Sequence, residues 1–406
     1  MTMSSDPEQP LASDGPLTTP GATEDDDSED LLSPSPASSD TASILSQESA
    51  VSERAPSSTK SLEASTIEYI FENDRQYCNE TYHMPNDEAE QTRLNILHQL
   101  YLLVQDGKFT LAPLTLTRPQ ATSSSRLSYP STASSSSRIP RLRILDIGTG
   151  PADWAIAMAE QYPAAEVVAT DISPALHPES IPSNLFLEID DATLEWTFAE
   201  QFDLIHIRNM ADSFPDWPFI FREAYKHLRP GGYIEVCDHA GLESLAALLP
   251  NSYISIYTAA TQSAAECAGM YSNLPTEKSV AGSAGPAGGS RGPAKGGTLA
   301  HLHPHVLEAA GFKNVHVTKL HVPLGTWPKD EQRPDPRRLA MGKMWLIVVL
   351  EGLEASSLRR LTRELAWTVD AVRDLCEKTR EEIMACHETK RCETEFRAVV
   401  AQKPEL

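Results

Sequence analysis

The chain has 406 residues, 40% of them hydrophobic and 22% charged, with a formal net charge of −23, so it can bury one large core or two modest ones. That acidic balance argues against direct, charge-driven nucleic-acid binding. The longest apolar run, Trp345 to Leu350, is far short of the roughly 20 residues a membrane span needs.

The first sixty residues carry twelve Asp or Glu against Arg54 and Lys60, and they are rich in Ser, Thr and Pro. Such a segment cannot bury enough apolar surface to offset its ordering entropy, so residues 1–62 are expected to be a disordered acidic tail. The N-terminus lacks the basic and apolar pattern of a secretory signal, which predicts a cytoplasmic and/or nuclear protein. Cys78, Cys237, Cys267, Cys376, Cys386 and Cys392 form no C-x-x-C pair, so neither a zinc site nor a disulfide framework is expected.

Residues 63–114 are expected to form an N-terminal helical cap. Asp87 and Glu90 have capping-box spacing, Leu94, Leu97, Leu100, Tyr101 and Val104 follow at helical intervals, and Gly107 is the expected C-cap. Tyr69, Tyr77 and Tyr82 precede this helix and suit either core packing or a lid over a ligand. Residues 115–140, with two runs of serine, are expected to be a flexible insertion.

Residues 141–404 follow an alternating strand and helix pattern. Arg143 to Ile147 is a short apolar strand, Gly148-Thr149-Gly150 a glycine turn, and Asp153 to Ala159 the start of an alanine-rich helix. Glycines let the backbone turn sharply and approach a ligand, and the helix start offers unpaired N–H groups. A second strand ends at Asp171, twenty-three residues beyond Gly148, where an acid can accept hydrogen bonds from ribose hydroxyls. A third runs into Asp190-Asp191-Ala192, and a fourth ends at Arg208-Asn209. After an amphipathic helix from Asp216 to Leu228 and the breaker Arg229-Pro230-Gly231-Gly232, a fifth ends at Asp238. Right-handed crossovers between these strands give a doubly wound, mostly parallel sheet with every one of these polar tips on its carboxyl edge.

Helices are expected from Tyr253 to Met270 and from Leu339 to Cys386, a flexible insertion over 275–298, and a short helix from Val306 to Ala310. Val315 to Val322 should pair antiparallel with a last strand over Glu395 to Ala401. His301, His303 and His305 alternate, but Pro304 interrupts them and no acid or Cys completes a metal site.

The run Asp146-Ile147-Gly148-Thr149-Gly150, the acid Asp171, and Phe202 to Arg208 followed by Leu228-Arg229-Pro230-Gly231-Gly232-Tyr233 resemble the seven-stranded class I S-adenosylmethionine-dependent methyltransferases. More narrowly, Pro85-Asn86-Asp87-Glu88, Asp106-Gly107-Lys108, Ile189-Asp190-Asp191-Ala192, Arg208-Asn209-Met210 and Pro323 to Lys329 look like the fungal LaeA-like methyltransferases. The resemblance implies a Rossmann-like sheet and S-adenosyl-L-methionine as cofactor. It places Asp146, Gly148, Thr149, Gly150 and Ala152 at the methionine part, Asp171 at the ribose, Asp191 and Ala192 at the adenine with Asp190 as the alternative acid, and Arg208 and Asn209 beneath the sulfonium. It also implies a small-molecule or protein methyl acceptor, and velvet-domain regulators as partners.

Methyl transfer from a sulfonium is a direct displacement, so alignment carries much of the rate and a base is needed only for a protonated acceptor. His206 and His239 are the candidate bases, and Tyr77 or Tyr82 the candidate aromatic facing the sulfonium. One departure stands out: the family continues Gly-Thr-Gly-Thr-Gly, whereas this chain continues Pro151-Ala152-Asp153. Pro151 removes a backbone donor. Ala152 fits at little steric cost if its φ is negative. Asp153 either repels the cofactor carboxylate or binds its ammonium. Rival readings are a methyltransferase-fold regulatory subunit with weak or no catalysis and an NAD-dependent oxidoreductase, the latter disfavoured because Asp153 replaces the third glycine of its fingerprint.

Overall fold

The computed structural model describes residues 68–114, 141–173, 180–270, 273–274 and 299–405. The expected tail 1–62 and the insertions 115–140 and 275–298 lie outside them. No helix among the described residues is long and apolar enough to cross a membrane.

The segment ahead of the sheet is not purely helical. Strands β1 (Ile70–Glu72) and β2 (Arg75–Tyr77) form an antiparallel hairpin. Its turn residues Asn73 and Asp74 have φ of 53° and 66°, the left-handed pair that a two-residue hairpin requires. A helical pattern could not reveal this, because three-residue strands carry almost no periodicity.

Helix α1 (Glu88–Val104) starts as expected, with Asp87 accepting from the Glu90 N–H at 3.1 Å. The capping box is only half formed, since the Glu90 carboxylate turns to Arg93, 2.6 Å away and buried with it. The helix closes on Gln105; Gly107, two residues on at φ 74°, returns its N–H to the Leu102 carbonyl.

The central sheet has seven strands: β3 (Arg143–Ile147), β4 (Glu166–Asp171), β5 (Leu185–Ile189), β6 (Phe202–Arg208), β7 (Leu228–His239), β8 (Lys313–Pro323) and β9 (Glu393–Gln402). Their spatial order is β5-β4-β3-β6-β7-β9-β8. Strands β3 to β7 pair in parallel, while β9 runs antiparallel to both β7 and β8 and lies between them. The Arg229-Pro230-Gly231-Gly232 breaker does not precede β7 but forms its first turn. The strand absorbs it by a register shift opposite Phe202 and Leu204 and by a φ of 81° at Gly231.

Alternating side chains divide the sheet's two faces. Leu145, Ile205, Ile234 and Val399 face one layer, where helices α3 (Trp217–His227) and α6 (Pro304–Ala309) pack. On the other face, Ile144, Val167 and Leu204 meet α2 (Asp153–Gln161). Over β7 to β9 the same side is covered by α1, α4 (Glu243–Leu248), α5 (Tyr253–Cys267), α7 (Pro336–Glu364) and α8 (Val369–Cys386).

Helix α7 also fastens the segment ahead of α1. Arg359, 1% exposed, donates to Glu72 at 3.0 Å and to the carbonyls of Asn79 and Tyr82 at 2.6 and 2.8 Å, and its guanidinium lies 4.2 Å from the centre of the Tyr77 ring. Arg363 pairs with Glu72 and Glu80. Residues 78–86 are thereby laid as a strap across the carboxyl edge of the sheet. Removing one member of a buried ion pair strands the other charge and costs about 3 to 5 kcal/mol. Because Glu72 keeps some contact with water, Arg359→Ala is expected near the lower end, about 3 kcal/mol less stable in urea unfolding.

Candidate active site

A cavity of about 850 Å³ lies between the strap, the carboxyl ends of the strands, and helices α1, α5 and α7. Ten of the eleven expected cofactor residues line it: Asp146, Gly148, Thr149, Gly150, Asp171, Asp190, Asp191, Ala192, Arg208 and Asn209. The eleventh, Ala152, does not. It is fully buried among the residues under α2, with φ 65°. The condition for a cheap alanine is therefore not met: the turn keeps a glycine-like conformation, and the methyl group carries a left-handed strain of about 1 to 2 kcal/mol. Its N–H still closes the turn onto the Thr149 carbonyl, 3.0 Å away.

Asp146 is buried at the end of β3, and both its oxygens are engaged within the protein. Nδ1 of His206 stands 2.7 Å from Oδ1, and the Thr149 hydroxyl donates to Oδ2 at 2.7 Å. The His206 ring in turn lies flat on Trp154 of α2, with centroids 3.6 Å apart and planes 4° from parallel. Asp146 thus shapes the glycine turn, and His206 is clamped beneath it. A ring held in this way is a positioning residue rather than a mobile base.

Asp171 joins the end of β4 to the same turn. Its carboxylate accepts from the Gly150 N–H at 2.8 Å and from the Ser173 N–H at 2.9 Å. Burial pushes its pKa up to about 6, although both N–H donors pull it down. Its carbonyl accepts from the Asp190 N–H at 3.0 Å, which draws the next turn alongside. There Asp190 is half-buried, with desolvation raising its pKa. Asp191 accepts from the backbone and hydroxyl of Thr193 at 2.9 and 2.6 Å, holding Ala192 in place.

At the end of β6, Arg208 donates to Nδ1 of His98 at 3.0 Å and lies 5.0 Å from the Tyr101 ring centre. Burial, then the Arg208 charge, lowers the His98 pKa to about 3, so this imidazole is neutral. Asn209 turns the chain with φ 59°, its N–H returning to the Cys237 carbonyl. Asp153 faces the cavity too; desolvation raises its pKa while Arg208 opposes the shift.

The two tyrosines part company. Tyr82 lines the cavity, its hydroxyl 3.2 Å from Ser213. Tyr77 does not, because its ring is buried against Arg359. The alternating histidines also separate. His301 is buried with Nε2 2.7 Å from Asp238 and its ring stacked on Trp217, whereas the rings of His303 and His305 lie 4.0 Å apart.

Several contributors were not visible in the sequence. Asn86 of the strap donates to Ser173 beside Asp171 at 2.8 Å. Arg360 of α7 reaches His83 of the strap at 3.0 Å and Asp212 at 3.3 Å. These residues come from 80 to 280 positions away, and only the Pro85-Asn86-Asp87-Glu88 run signalled any of them.

A glycine turn, a partly buried acid at the second strand of the sheet and a reversed last strand inserted between the two before it define a class I methyltransferase, whose cofactor is S-adenosylmethionine. A methyltransferase-domain family model matches residues 116–265. The chain is 30% identical over 355 residues to methyltransferase pytC of Aspergillus terreus, covering 86% of this chain and 92% of that protein. It is 31% identical over 316 residues to secondary metabolism regulator LAE1 of Cochliobolus heterostrophus, covering 74% and 84%. It is 28% identical over 314 residues to secondary metabolism regulator laeA of Aspergillus fumigatus, covering 74% and 67%. The chain belongs to the LaeA-like family of fungal S-adenosylmethionine-dependent methyltransferases.

Proposed function

We propose that this methyltransferase lays S-adenosylmethionine along the carboxyl edge of β3 to β6 and transfers its methyl group to an acceptor in fungal secondary metabolism. The observation that carries the reading is the Asp171 carboxylate, tied to the glycine turn on one side and to the 190–192 turn on the other. In this reading the ribose hydroxyls donate to Asp171, the adenine lies against Asp190, Asp191 and Ala192, and the methionine part follows Gly148, Thr149 and Gly150. Arg208 and Asn209 lie under the sulfonium.

Asp153 and Arg208 suit a zwitterion. They are near enough that the guanidinium pulls down the acid's pKa, and together they present one charge for the cofactor's ammonium and one for its carboxylate. This favours Asp153 as a binding group over a repelling one. The residues present therefore fit the cofactor, which supplies an activated methyl group when bound. The protein's part is to align it and exclude water.

The secondary-metabolism assignment rests on the relatives named as regulators and as methyltransferases. The family resemblance implies velvet-domain partners and a nuclear location if the protein is a regulator, whereas a tailoring enzyme would act on a small molecule in the cytoplasm; the relatives include proteins named as regulators and as methyltransferases. Affinity purification from a fungal host separates them. Co-purifying velvet-domain proteins favour the regulator, and accumulation of an unmethylated metabolite on deletion of the gene favours the tailoring enzyme.

Two binding measurements test the site. Calorimetry with S-adenosylhomocysteine should show affinity constant above about pH 7 and falling as pH drops through about 6. A ribose hydroxyl donates to the ionised carboxylate, and a proton on Asp171 takes that acceptor away. Asp171→Asn should remove this step and weaken binding at pH 7.5 by about 10- to 100-fold, the value of hydrogen bonds to a charged group. Asp153→Asn should weaken binding about tenfold; tighter binding would show that the carboxylate repels its neighbour.

A further inference from the structure

The cavity is near the upper end of the roughly 300 to 1,000 Å³ usual for small-molecule sites, which leaves room for an acceptor beside the cofactor. The half away from the glycine turn is walled by Leu97 and Tyr101 of α1, Leu242 ahead of α4, Tyr257 of α5, and Trp345 and Val349 of α7. His239, the last residue of β7, opens into this half.

The tautomer of His239 follows from its partner. Nδ1 lies 3.0 Å from the Ala240 carbonyl, which can only accept, so Nδ1 carries the proton and Nε2 is a bare lone pair. That Nε2 is buried and has no hydrogen-bond partner. The ring is wedged between Trp345 at 4.6 Å and Phe396 at 5.1 Å. Tyr101 also packs on Phe396, with ring centroids 5.3 Å apart, and its buried hydroxyl is likewise without a partner. Unpaired buried polar groups are costly, and a pair of them in an apolar compartment marks the place of a missing polar group. One offers a lone pair and the other an O–H. A ligand hydroxyl can donate to the lone pair of the first, and a ligand oxygen can accept from the second.

The other cavity imidazoles are not available in this way. His83 and His98 each accept at Nδ1 from an arginine, and His206 is held between Asp146 and Trp154. Asp238 is occupied by the N–H groups of Met210 and Ala211 and by His301.

We propose that the acceptor is a planar, largely apolar small molecule bearing an acidic hydroxyl, a phenol or an enol, and that His239 Nε2 takes the hydroxyl proton as the oxygen is methylated. The proposal rests on the methyltransferase reading of the same cavity. The acceptor O–H bond breaks and its proton moves to Nε2. The oxygen forms the new C–O bond as the methyl–sulfur bond breaks, and that bond's electron pair stays on sulfur. The imidazolium then returns its proton to solvent. Tyr101, kept as O–H because burial drives its pKa well up, offers a donor to a second oxygen or to the ring face of the same ligand.

The base selects the acidity of its substrate. Burial lowers the His239 pKa, with the Ala240 bond, Asp238 and Asp212 opposing and Arg93 reinforcing the shift. A base weakened in this way is poorly matched to an aliphatic alcohol and better matched to a phenol, whose pKa of about 10 lies well below that of an alcohol. The apolar walls and three surrounding aromatic rings fit a flat ring system.

The test uses the full-length protein loaded with S-adenosylhomocysteine, with that binding confirmed first by calorimetry. Binding of 4-ethylphenol, 2-naphthol and 2-methoxynaphthalene is then followed by tryptophan fluorescence, which Trp345 reports, and turnover by methyl transfer from labelled cofactor. At least one phenol should bind, and 2-naphthol should bind about tenfold tighter than 2-methoxynaphthalene, which has no proton to donate. His239→Gln should abolish that preference and lower methyl transfer by at least 100-fold with cofactor affinity unchanged; Tyr101→Phe should weaken phenol binding severalfold. Retained S-adenosylhomocysteine binding shows that each variant is folded. Failure of both phenols to bind the loaded protein, or full turnover in His239→Gln, overturns the acceptor assignment. Failure of S-adenosylhomocysteine itself to bind strikes the methyltransferase reading instead.

Discussion

The structure hangs on the buried carboxylate of Asp146. It lies level with His206 in the pairing of β3 and β6, so one hydrogen bond at 2.7 Å ties the two central strands together above the backbone ladder. Its other oxygen holds Thr149 and sets the glycine turn. The clamped imidazole gives α2 a flat surface to stack on through Trp154, whose indole N–H then donates to the Phe109 carbonyl at 2.6 Å. Residues 110–112 are fixed in turn by Glu235 of β7, which accepts from the Thr110 hydroxyl and from the Leu111 and Ala112 N–H groups. A continuous polar chain thus runs from the third strand to the seventh through otherwise apolar layers. Such networks confer definition when every member is satisfied and are costly when one is not.

The arrangement at the end of β7 repeats this logic. Asp238 is bonded to His301, and His301 is stacked on Trp217 of α3, as His206 is on Trp154 of α2. In each case a carboxylate at a strand end organises a turn: Asp146 the glycine turn after its own strand, and Asp238 the Met210–Ala211 turn after the neighbouring β6. The two buried acids therefore build the two turns that flank the cavity. Three further acids lining the cavity, Asp171, Asp190 and Asp153, are ones whose pKa values burial raises, and each carboxylate has lone pairs beyond those its protein donors use. Unused capacity at these positions is what a ligand rich in hydroxyl and ammonium groups can satisfy.

The cofactor edge was legible in the sequence because its information is local. Strand, turn and helix each occupy a handful of residues, and the acids sit at strand ends where the parallel topology must bring them together. Asp146, Asp171 and Arg208 could be placed without coordinates for that reason. The β1–β2 hairpin was not legible, being two three-residue strands held by a left-handed Asn73-Asp74 turn and by Arg359 nearly three hundred positions later. The sign of φ at Ala152 was equally hidden. Alanine has a default negative φ, and only the closure of the turn onto Thr149 forces the other value. The roles of His206 and His239 could not be divided by sequence either. Each ends or nearly ends a strand, and what distinguishes them is a stacked indole on one ring and an unpaired nitrogen on the other.

The two halves of the cavity belong to different parts of the core. The cofactor half is built on strand ends, whose positions are fixed by the sheet's hydrogen bonds and by the two Asp–His pairs. The acceptor half is walled by α1, α5 and α7, which pack over β7 to β9 in a cluster of their own. Substitutions on that wall change volume and polarity without disturbing the register of β3 and β4 or the glycine turn. In the proposed reading, relatives share a cofactor site while methylating different acceptors, and the wall of α5 and α7 sets this chain's choice of acceptor. The strap links the two halves, since Arg359 and Arg360 of the acceptor wall hold residues 79–83 across the edge to which Asn86 is bonded through Ser173. The strap therefore borders both halves of the cavity.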